Sequence, residues 1–369
     1  MKLMKGLLGF IILAFFSIGT SAQDSLSVAE RGSVVAADTV AKTKKRNFIL
    51  RFIDKFSDLD TNYVEPNHYN WALMLQNTNT CEWFSVKSGD SKLPMVSDPA
   101  VKLGPFFGYR WLFFGYTFQL NDCGKKKTNR TETELRLYGS MMGCDLLYRY
   151  TGEDFKWRTN GMGMPQGEYS GGASITTIGG HLYYVFNHRR FSLPSLFSQS
   201  TVQKRSSGSV ILGASITSHK FSLSIKDWPK EAEEVLKGED KDHDFSFMDY
   251  AISVGYGYNF VLRKNLMLGV CLTPAVGYKH TYGNPTNSNA GNKINFDFIG
   301  RAALVWNNNK YFAGLSLVVH SYHFANDEIQ INDTFGTLNL FVGLNFFKRK
   351  EYRDESERSH SILRKIFVD

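Results

Sequence analysis

The chain has 369 residues, a formal net charge of +8 and a composition that is 14% aromatic, with 32 glycines and 9 prolines. Aromatic residues suit pleated surfaces and glycines suit turns, so this composition favours a β-rich fold and excludes a chain that is disordered throughout. The mean hydropathy of −0.26 and the lack of a long uncharged apolar run exclude a membrane protein built from helices. They do not exclude one built from strands, in which apolar and polar residues alternate.

Residues 1–22 have the pattern of a secretory signal peptide. Lys2 and Lys5 provide the positive start, an apolar stretch follows, and small residues precede Gln23. We therefore expect an exported chain that begins at Gln23. Because no cysteine follows this position directly, we do not expect a lipid anchor.

Two short segments follow the signal peptide. Residues 23–47 are small and polar without aromatic residues, which predicts a flexible periplasmic arm. Residues 48–66 predict a short helix and an entry segment, because Phe48, Phe52 and Phe56 are spaced to share one helical face.

From residue 67 onward the apolar residues recur at every second position. In Tyr250–Leu262 one face carries Tyr, Ile, Val, Phe and Leu, and the other carries Ala, Ser, Gly, Asn and Val. A soluble β-sandwich also alternates, but its outer face needs charged residues, whereas here the second face is small and polar, as in a barrel lumen. Several runs are longer than a soluble strand, and aromatic residues gather at the run ends. We therefore predict an all-β fold, an antiparallel transmembrane β-barrel over residues 67–347.

Twelve such runs predict about 12 strands, with 10 to 14 left open. They cover residues 69–76, 80–87, 100–109, 111–120, 134–150, 174–187, 207–218, 247–262, 265–278, 293–306, 310–323 and 334–347. If both ends of the barrel are periplasmic, short turns should lie on that side and long loops outside. The predicted loops 151–173 and 219–246 fit the outside. Residue 110 is too short for an outer loop and 188–206 is too long for a periplasmic turn, so both conflict with this assignment. Residues 348–369 predict a charged periplasmic tail.

Short stretches within this region resemble a known family. They are Asp60–Tyr63, Tyr184–Asn187, Arg190–Ser192, Gln203–Ser206 and Gly208–Ser209. Together they resemble a Bacteroidota family of outer-membrane barrels catalogued as a domain of unknown function (family 4421). The resemblance implies the fold and an outer-membrane location over about residues 58–347, and it brings no activity, substrate or ligand residues.

The 188–206 connector combines basic side chains with an apolar centre. The residues concerned are Arg189, Arg190, Phe191, Phe197, Lys204 and Arg205. A simple turn does not need such a centre, so we expect this connector to act as a partial plug of the barrel mouth or as a docking surface for a periplasmic protein. The alternative is an ordered turn that only caps the barrel rim.

Five charged or titratable residues lie on the predicted inner face by alternation. They are Asp145, Arg149, His181, Asp297 and Arg301. A charge that faces lipid costs about 2–4 kcal/mol at mid-bilayer, so we expect all five to point inward. There they either line a pore and tune its selectivity, or pair with each other in a packed interior.

The sequence predicts a non-enzymatic protein, since no nucleophile–base pair or catalytic motif is present, and we expect no metal or cofactor. The predicted function is a narrow pore or small-solute transporter, and the alternative is a closed structural or interaction barrel that presents its loops. The expected partners are outer-membrane lipid, the barrel-assembly machinery and a periplasmic protein. Most of the net positive charge lies in residues 1–47 and 348–369, so no nucleic-acid partner is expected.

Overall fold

The computed structural model describes residues 59–88, 91–97, 99–109, 112–120, 130–152, 155–158, 168–170, 173–223, 243–281, 293–325, 329–349 and 352–353. Its strands are β1 (Val64–Pro66), β2 (Tyr69–Ser88), β3 (Ser91–Ser97), β4 (Ala100–Tyr109), β5 (Leu112–Gly115), β6 (Phe118–Gln119), β7 (Arg130–Tyr138), β8 (Met142–Thr151), β9 (Phe155–Arg158), β10 (Glu168–Ser170), β11 (Ala173–Val185), β12 (Thr201–Gln203), β13 (Ser207–Leu223), β14 (His243–Arg263), β15 (Leu266–Thr281), β16 (Lys293–Asn307), β17 (Tyr311–Ala325) and β18 (Ile329–Lys348). A short helix, α1, spans Pro194–Phe197. Among these residues, no helix has the length and apolar character needed to span a membrane.

Apart from β1 and β12, which pair with each other, the strands form one antiparallel barrel sheet. From β7 the ladder runs through β8, β11 and then β13 to β18 in chain order, and β18 pairs with β2, the first strand of the sheet. β2 pairs in turn with β4, β4 pairs with β5 and β6, and β5 lies beside β7. Counting β5 and β6 as one interrupted strand, the described residues contribute twelve barrel strands. The predicted antiparallel barrel of about 12 strands is therefore confirmed.

Two parts of the predicted strand pattern were wrong: one strand was predicted as two, and two strands were predicted as one. The predicted strands 69–76 and 80–87 are one strand, β2, and the predicted strand 134–150 is the hairpin of β7 and β8. The polar run Gln76–Thr80 looked like a turn, but its backbone pairs with β18 on one side and β4 on the other, and Gln76 Nε2 donates to Asn339 Oδ1 (3.1 Å). The phase break near Gly139 is the turn between β7 and β8, whose backbone hydrogen bond joins Gly139 N to Met142 O (2.9 Å).

With these corrections the short connector after β4 no longer falls on the side predicted for long loops. The long connector 188–206 still falls on the side predicted for short turns. With β2 as one strand, the paired ends of β4 and β5 lie at the same end of the barrel as the connectors 139–141, 264–265 and 308–310, and we call this end the turn side. We call the opposite end of the barrel the loop side. The segment between β11 and β13 remains the one long connector at the turn side within the described topology. Its length therefore needs a structural reason.

The two faces of the sheet differ as the alternation predicts. On β14, Ile252, Val254 and Tyr256 are more than half exposed, whereas the intervening Ala251 and Ser253 are buried inside. Phe296 on β16 is 71% exposed, and its neighbour Asp297 is 7% exposed. The outer surface thus carries an apolar band and most polar residues point into the barrel, as in a transmembrane barrel.

Several predictions fall on other parts of the chain. The signal peptide, the arm, the helix up to residue 58 and nearly all of the tail lie outside the described residues. The loop predicted at 219–246 was too long, because β13 extends to Leu223 and β14 begins at His243. The loop predicted at 151–173 contains the short strands β9 and β10, which extend the sheet through β3. Longer strands arise here because neighbouring backbones keep pairing beyond the region of apolar alternation.

Candidate functional site

The long turn-side connector folds into the barrel instead of hanging from its rim. Phe191, Leu193 and Leu196 are at most 2% exposed and form one cluster with side chains of the barrel wall. The wall makes room for them with glycine. A Cβ at Gly269 would lie 1.9 Å from Leu196 Cδ2, and a Cβ at Gly257 would lie 2.7 Å from Phe191 Cζ. We call residues 187–206 the plug, because this segment fills the turn-side end of the lumen.

A buried polar network fixes the plug to the wall. The side-chain amide of Asn259, on β14, donates to Ser192 O (2.9 Å) and to Gln203 Oε1 (3.0 Å). Gln203 Nε2 donates to Arg190 O (2.6 Å), and the Ser192 and Thr201 hydroxyls are 2.6 Å apart. Because buried polar groups are costly unless paired, these bonds hold the plug in one position in the lumen.

The entry segment before the barrel is bound to the plug. β1 pairs with β12 inside the plug, from Val64–Gln203 to Pro66–Thr201. Asp60 N donates to Arg189 O (2.9 Å), and Lys204 Nζ donates to Thr61 O (3.0 Å). The approach to the first barrel strand and the plug therefore form one small unit.

The basic plug residues lie at the surface, around this unit. Arg189, Arg190, Lys204 and Arg205 are exposed. The Arg190 and Arg205 guanidinium groups lie 5.0 and 5.8 Å from the centre of the Tyr63 ring. In the described residues these cations thus contact the chain's own entry segment. Of the two predicted aromatic residues, Phe191 is fully buried, and Phe197 is partly buried and stacks on Tyr138 with ring centroids 5.7 Å apart.

Beyond the plug, the centre of the lumen holds an ion pair. Arg301 Nη2 donates to Asp145 Oδ2 (2.8 Å), with side-chain exposures of 5% and 12%. Beside this pair, His181 Nε2 lies 3.5 Å from Ser253 Oγ. The structure thus places Asp145, His181 and Arg301 together on the inner face.

A second layer of ion pairs lies nearer the loop side. Arg149 Nη2 lies 3.1 Å from Glu82 Oε1 and 3.4 Å from Asp333 Oδ2, and its guanidinium carbon lies 3.9 Å from the centre of the Phe335 ring. All three charged side chains are at most 2% exposed.

The same layer contains a buried lysine. Lys279 Nζ lies 3.3 Å from Asp297 Oδ1 and donates to His323 O (2.6 Å). Asp249, its partner in the β14–β15 register, is also buried. The Lys279 side chain is fully buried and that of Asp297 is 5% exposed, so both charges sit in the packed interior.

The sequence did not single out several of these partners. They are Glu82, Asp249, Asn259, Lys279 and Asp333. The signal that places Glu82 inside is present: once residues 69–88 are taken as one strand, Glu82 has the parity opposite to that of the outward-facing Trp71 and Leu73. Which carboxylate meets which cation depends on pairing across the lumen, and alternation along one strand does not contain that information.

Substituting Gly269 by alanine should displace the plug. The new methyl group would overlap the Leu196 side chain of α1. Because α1 lies between the rest of the plug and the barrel wall, it has little room to shift. We expect residues 187–203 to become accessible to protease and to exchange amide hydrogens faster, at unchanged barrel strand content.

The matched control is Gly180→Ala on β11. It makes the same change in a strand, and its Cβ would meet only the end of the Leu146 side chain, at 3.3 Å. We expect normal protection of the plug in this variant. Equal protection of residues 187–203 in both variants would contradict the described position of α1.

Comparison with protein families gives a match over most of the chain. A family model described as a domain of unknown function (DUF4421) matches residues 58–346. The chain belongs to this family. The predicted family is therefore confirmed, whereas the Bacteroidota origin that came with it stays a prediction. The match covers the entry segment, the plug and the barrel of this DUF4421 member.

Comparison with solved structures gives matches of low similarity. The chain is similar to the outer membrane protease OmpT from Escherichia coli, with 6% identity and a TM-score of 0.34, over 79% of this chain and 100% of that one. It is also similar to the translocator domain of the autotransporter NalP from Neisseria meningitidis, with 11% identity and a TM-score of 0.34, over 80% and 94%. It is similar as well to the outer membrane protein OprG from Pseudomonas aeruginosa, with 9% identity and a TM-score of 0.26, over 76% of this chain and 98% of that one. These scores are too low to transfer any property to this chain. A search of curated proteins found no match.

Proposed function

We propose that this protein is an outer-membrane β-barrel with a closed lumen, which acts as a structural or interaction platform through the surfaces at its two rims. The observation that carries the proposal is the filling of the lumen. The plug residues Phe191 and Leu196 occupy the turn-side end, and the pairs around Arg301 and Arg149 occupy the centre and the loop side. The platform is non-enzymatic.

The distribution of apolar surface supports the proposed membrane location. The exposed apolar residues on β2 and on β13 to β18 favour a lipid environment, because soluble proteins rarely expose patches beyond a few hundred Å². A barrel satisfies the backbone hydrogen bonds of its strands within the sheet, as a lipid environment requires. The predicted signal peptide, residues 1–22, supports export to the outer membrane, where the barrel-assembly machinery would insert the chain.

A narrow pore or transporter is less well supported. The cations of an aqueous pore remain hydrated, whereas the Arg149, Lys279 and Arg301 side chains are at most 5% exposed and each lies beside a carboxylate. Such pairs resemble a packed interior, which small barrels use to fill the lumen. Opening this barrel would require both ion-pair layers and the plug to move.

Conductance in planar bilayers tests the closed lumen. We expect the purified full chain to give no steady current over a wide voltage range, at protein densities where a general porin gives stepwise insertion. Replacing residues 190–203 by a short Gly-Ser linker should leave the barrel non-conducting, because both ion-pair layers remain. Steady unitary currents from the unmodified chain would contradict the proposal and favour the pore.

A further inference from the structure

The turn-side rim carries a collar of basic side chains. Its exposed members are Arg189, Arg190, Lys204, Arg205, Arg263, Lys264 and Lys310. The carboxylates of the described rim segments are Asp60 and Glu65, and Glu65 already lies 3.0 Å from His68 Nε2. The described part of this rim is therefore strongly positive.

The collar lies directly against the apolar band. Several outward-facing aromatic residues occupy the last positions of the strands before the turn side, namely Trp71, Tyr109, Phe186, Phe260, Trp306 and Tyr311, with exposures of 39% to 56%. Such a ring marks the level of lipid headgroups, because aromatic side chains sit well at that boundary. The basic collar thus lies at the depth where phospholipid phosphates occur.

One part of the collar is formed as a cavity. A cavity of about 480 Å³ is lined by Asp60, Phe186, Asn187, His188, Arg189 and Arg190. One of its lining residues is fixed to β13, because Asn187 Nδ2 donates to Gly208 O (2.8 Å) and Asn187 N donates to Ser209 Oγ (2.8 Å). Among the described residues, the buried His188 Nδ1 has no hydrogen-bond partner.

The cavity joins a polar and an apolar wall. Phe186 is 56% exposed on the lipid side, whereas both arginines are exposed on the aqueous side. Asp60 lies 3.5 Å from Arg190 Nε, and the backbone N–H of Asn62 lowers the pKa of its carboxyl group. Among the described lining residues, one carboxylate stands against two guanidinium groups, so the formal charge of that lining is positive.

We propose that this cavity binds the headgroup of an anionic phospholipid from the membrane leaflet at the turn side. The phosphate would meet Arg189 and Arg190, which suit phosphate because guanidinium groups donate two parallel hydrogen bonds. The acyl chains would run along Phe186 onto the apolar band. Basic residues close to a membrane surface favour anionic lipids, so the whole collar strengthens this preference.

Titration calorimetry in non-ionic detergent tests the site with short-chain lipids. We expect dihexanoyl phosphatidylglycerol to bind the full chain saturably, and dihexanoyl phosphatidylcholine to bind at least about tenfold more weakly. Inorganic phosphate at the same concentration should not compete, because it lacks the apolar part. Full competition by phosphate would overturn the lipid assignment in favour of a free anion site.

The variant Arg189→Gln/Arg190→Gln should bind phosphatidylglycerol about tenfold more weakly. Its matched control is Lys87→Gln/Lys220→Gln, which removes two exposed cations near the loop side and should bind normally. Arg189→Gln alone keeps the backbone bond from Asp60 and should show a smaller loss, which separates the site from the folding of the entry segment. Equal affinity for both lipids, or equal losses in both double variants, would overturn the proposal.

Discussion

Replacing Arg149 by methionine should lower the free energy of unfolding by about 3–5 kcal/mol, because it leaves uncompensated charge in the packed interior. Glu82 and Asp333 face this guanidinium with at most 2% side-chain exposure, so neither carboxylate can turn to water. Thr151 donates to Glu82 (3.0 Å) and cannot replace a charge. The measurement is equilibrium unfolding in urea from detergent or lipid, followed by tryptophan fluorescence.

The rescue variant separates charge from packing. Arg149→Met/Glu82→Gln/Asp333→Asn removes the cation and both anions at similar volume, and a buried ionic group replaced by neutral groups is often tolerated. We expect this triple variant to recover most of the lost stability. If the triple variant is as unstable as Arg149→Met, the loss comes from packing against Phe335, and the ion-pair interpretation is wrong.

The fold could be predicted because one physical rule governs every strand. A residue that faces lipid must be apolar and its neighbour faces the lumen, so the period of two in β14 or β18 is visible without any knowledge of partners. The rule failed where an outward position is polar, as at Asn77 and Asn79, which share the parity of the exposed Leu75, and where a tight turn interrupts the alternation only briefly. The polar Gln76–Thr80 looked like a turn but belongs to the continuous strand β2. The glycines near residue 139 looked like part of one strand but form the turn between β7 and β8. Pairing with neighbouring strands, not local composition, decided both cases.

The interior could be predicted only in part. Inward orientation of Asp145, Arg149 and Arg301 followed from parity and from the cost of charge in lipid. Their partners did not follow, since Arg149 meets Glu82 and Asp333 from strands that lie far from it in sequence. The apolar centre of the plug was visible in the sequence, but its anchor Asn259 lies in an ordinary alternating strand, near the end of β14. Long-range geometry is the missing information in each case.

The plug and the ion pairs divide the lumen by chemistry. Apolar side chains of the plug meet glycine and small residues of the wall at the turn side, whereas the charged layers lie beyond it, toward the loops. Along β15 the order is Gly269 under Leu196, Cys271 opposite Arg301, and Lys279 beside Asp297. Loss of one layer therefore leaves the others in place, so stability and closure of the lumen can be tested separately.

Truncating Phe191 to alanine should destabilise the barrel by about 3–5 kcal/mol, the usual range for a fully buried aromatic residue in a packed core. Phe191 is 0% exposed and packs against Gly257 and Ile211, which carry too little mobile side chain to fill the space. Phe191→Leu is the matched control, because it keeps most of the apolar volume and should lose less than about 1.5 kcal/mol. Urea unfolding measures the stability of both variants, and protease cleavage within residues 187–203 should increase only for the alanine variant.

If the two variants are equally stable, the plug contributes no packing energy to the barrel. Its burial would then be a consequence of closure at the polar anchor Asn259, whose amide holds Ser192 and Gln203 independently of Phe191.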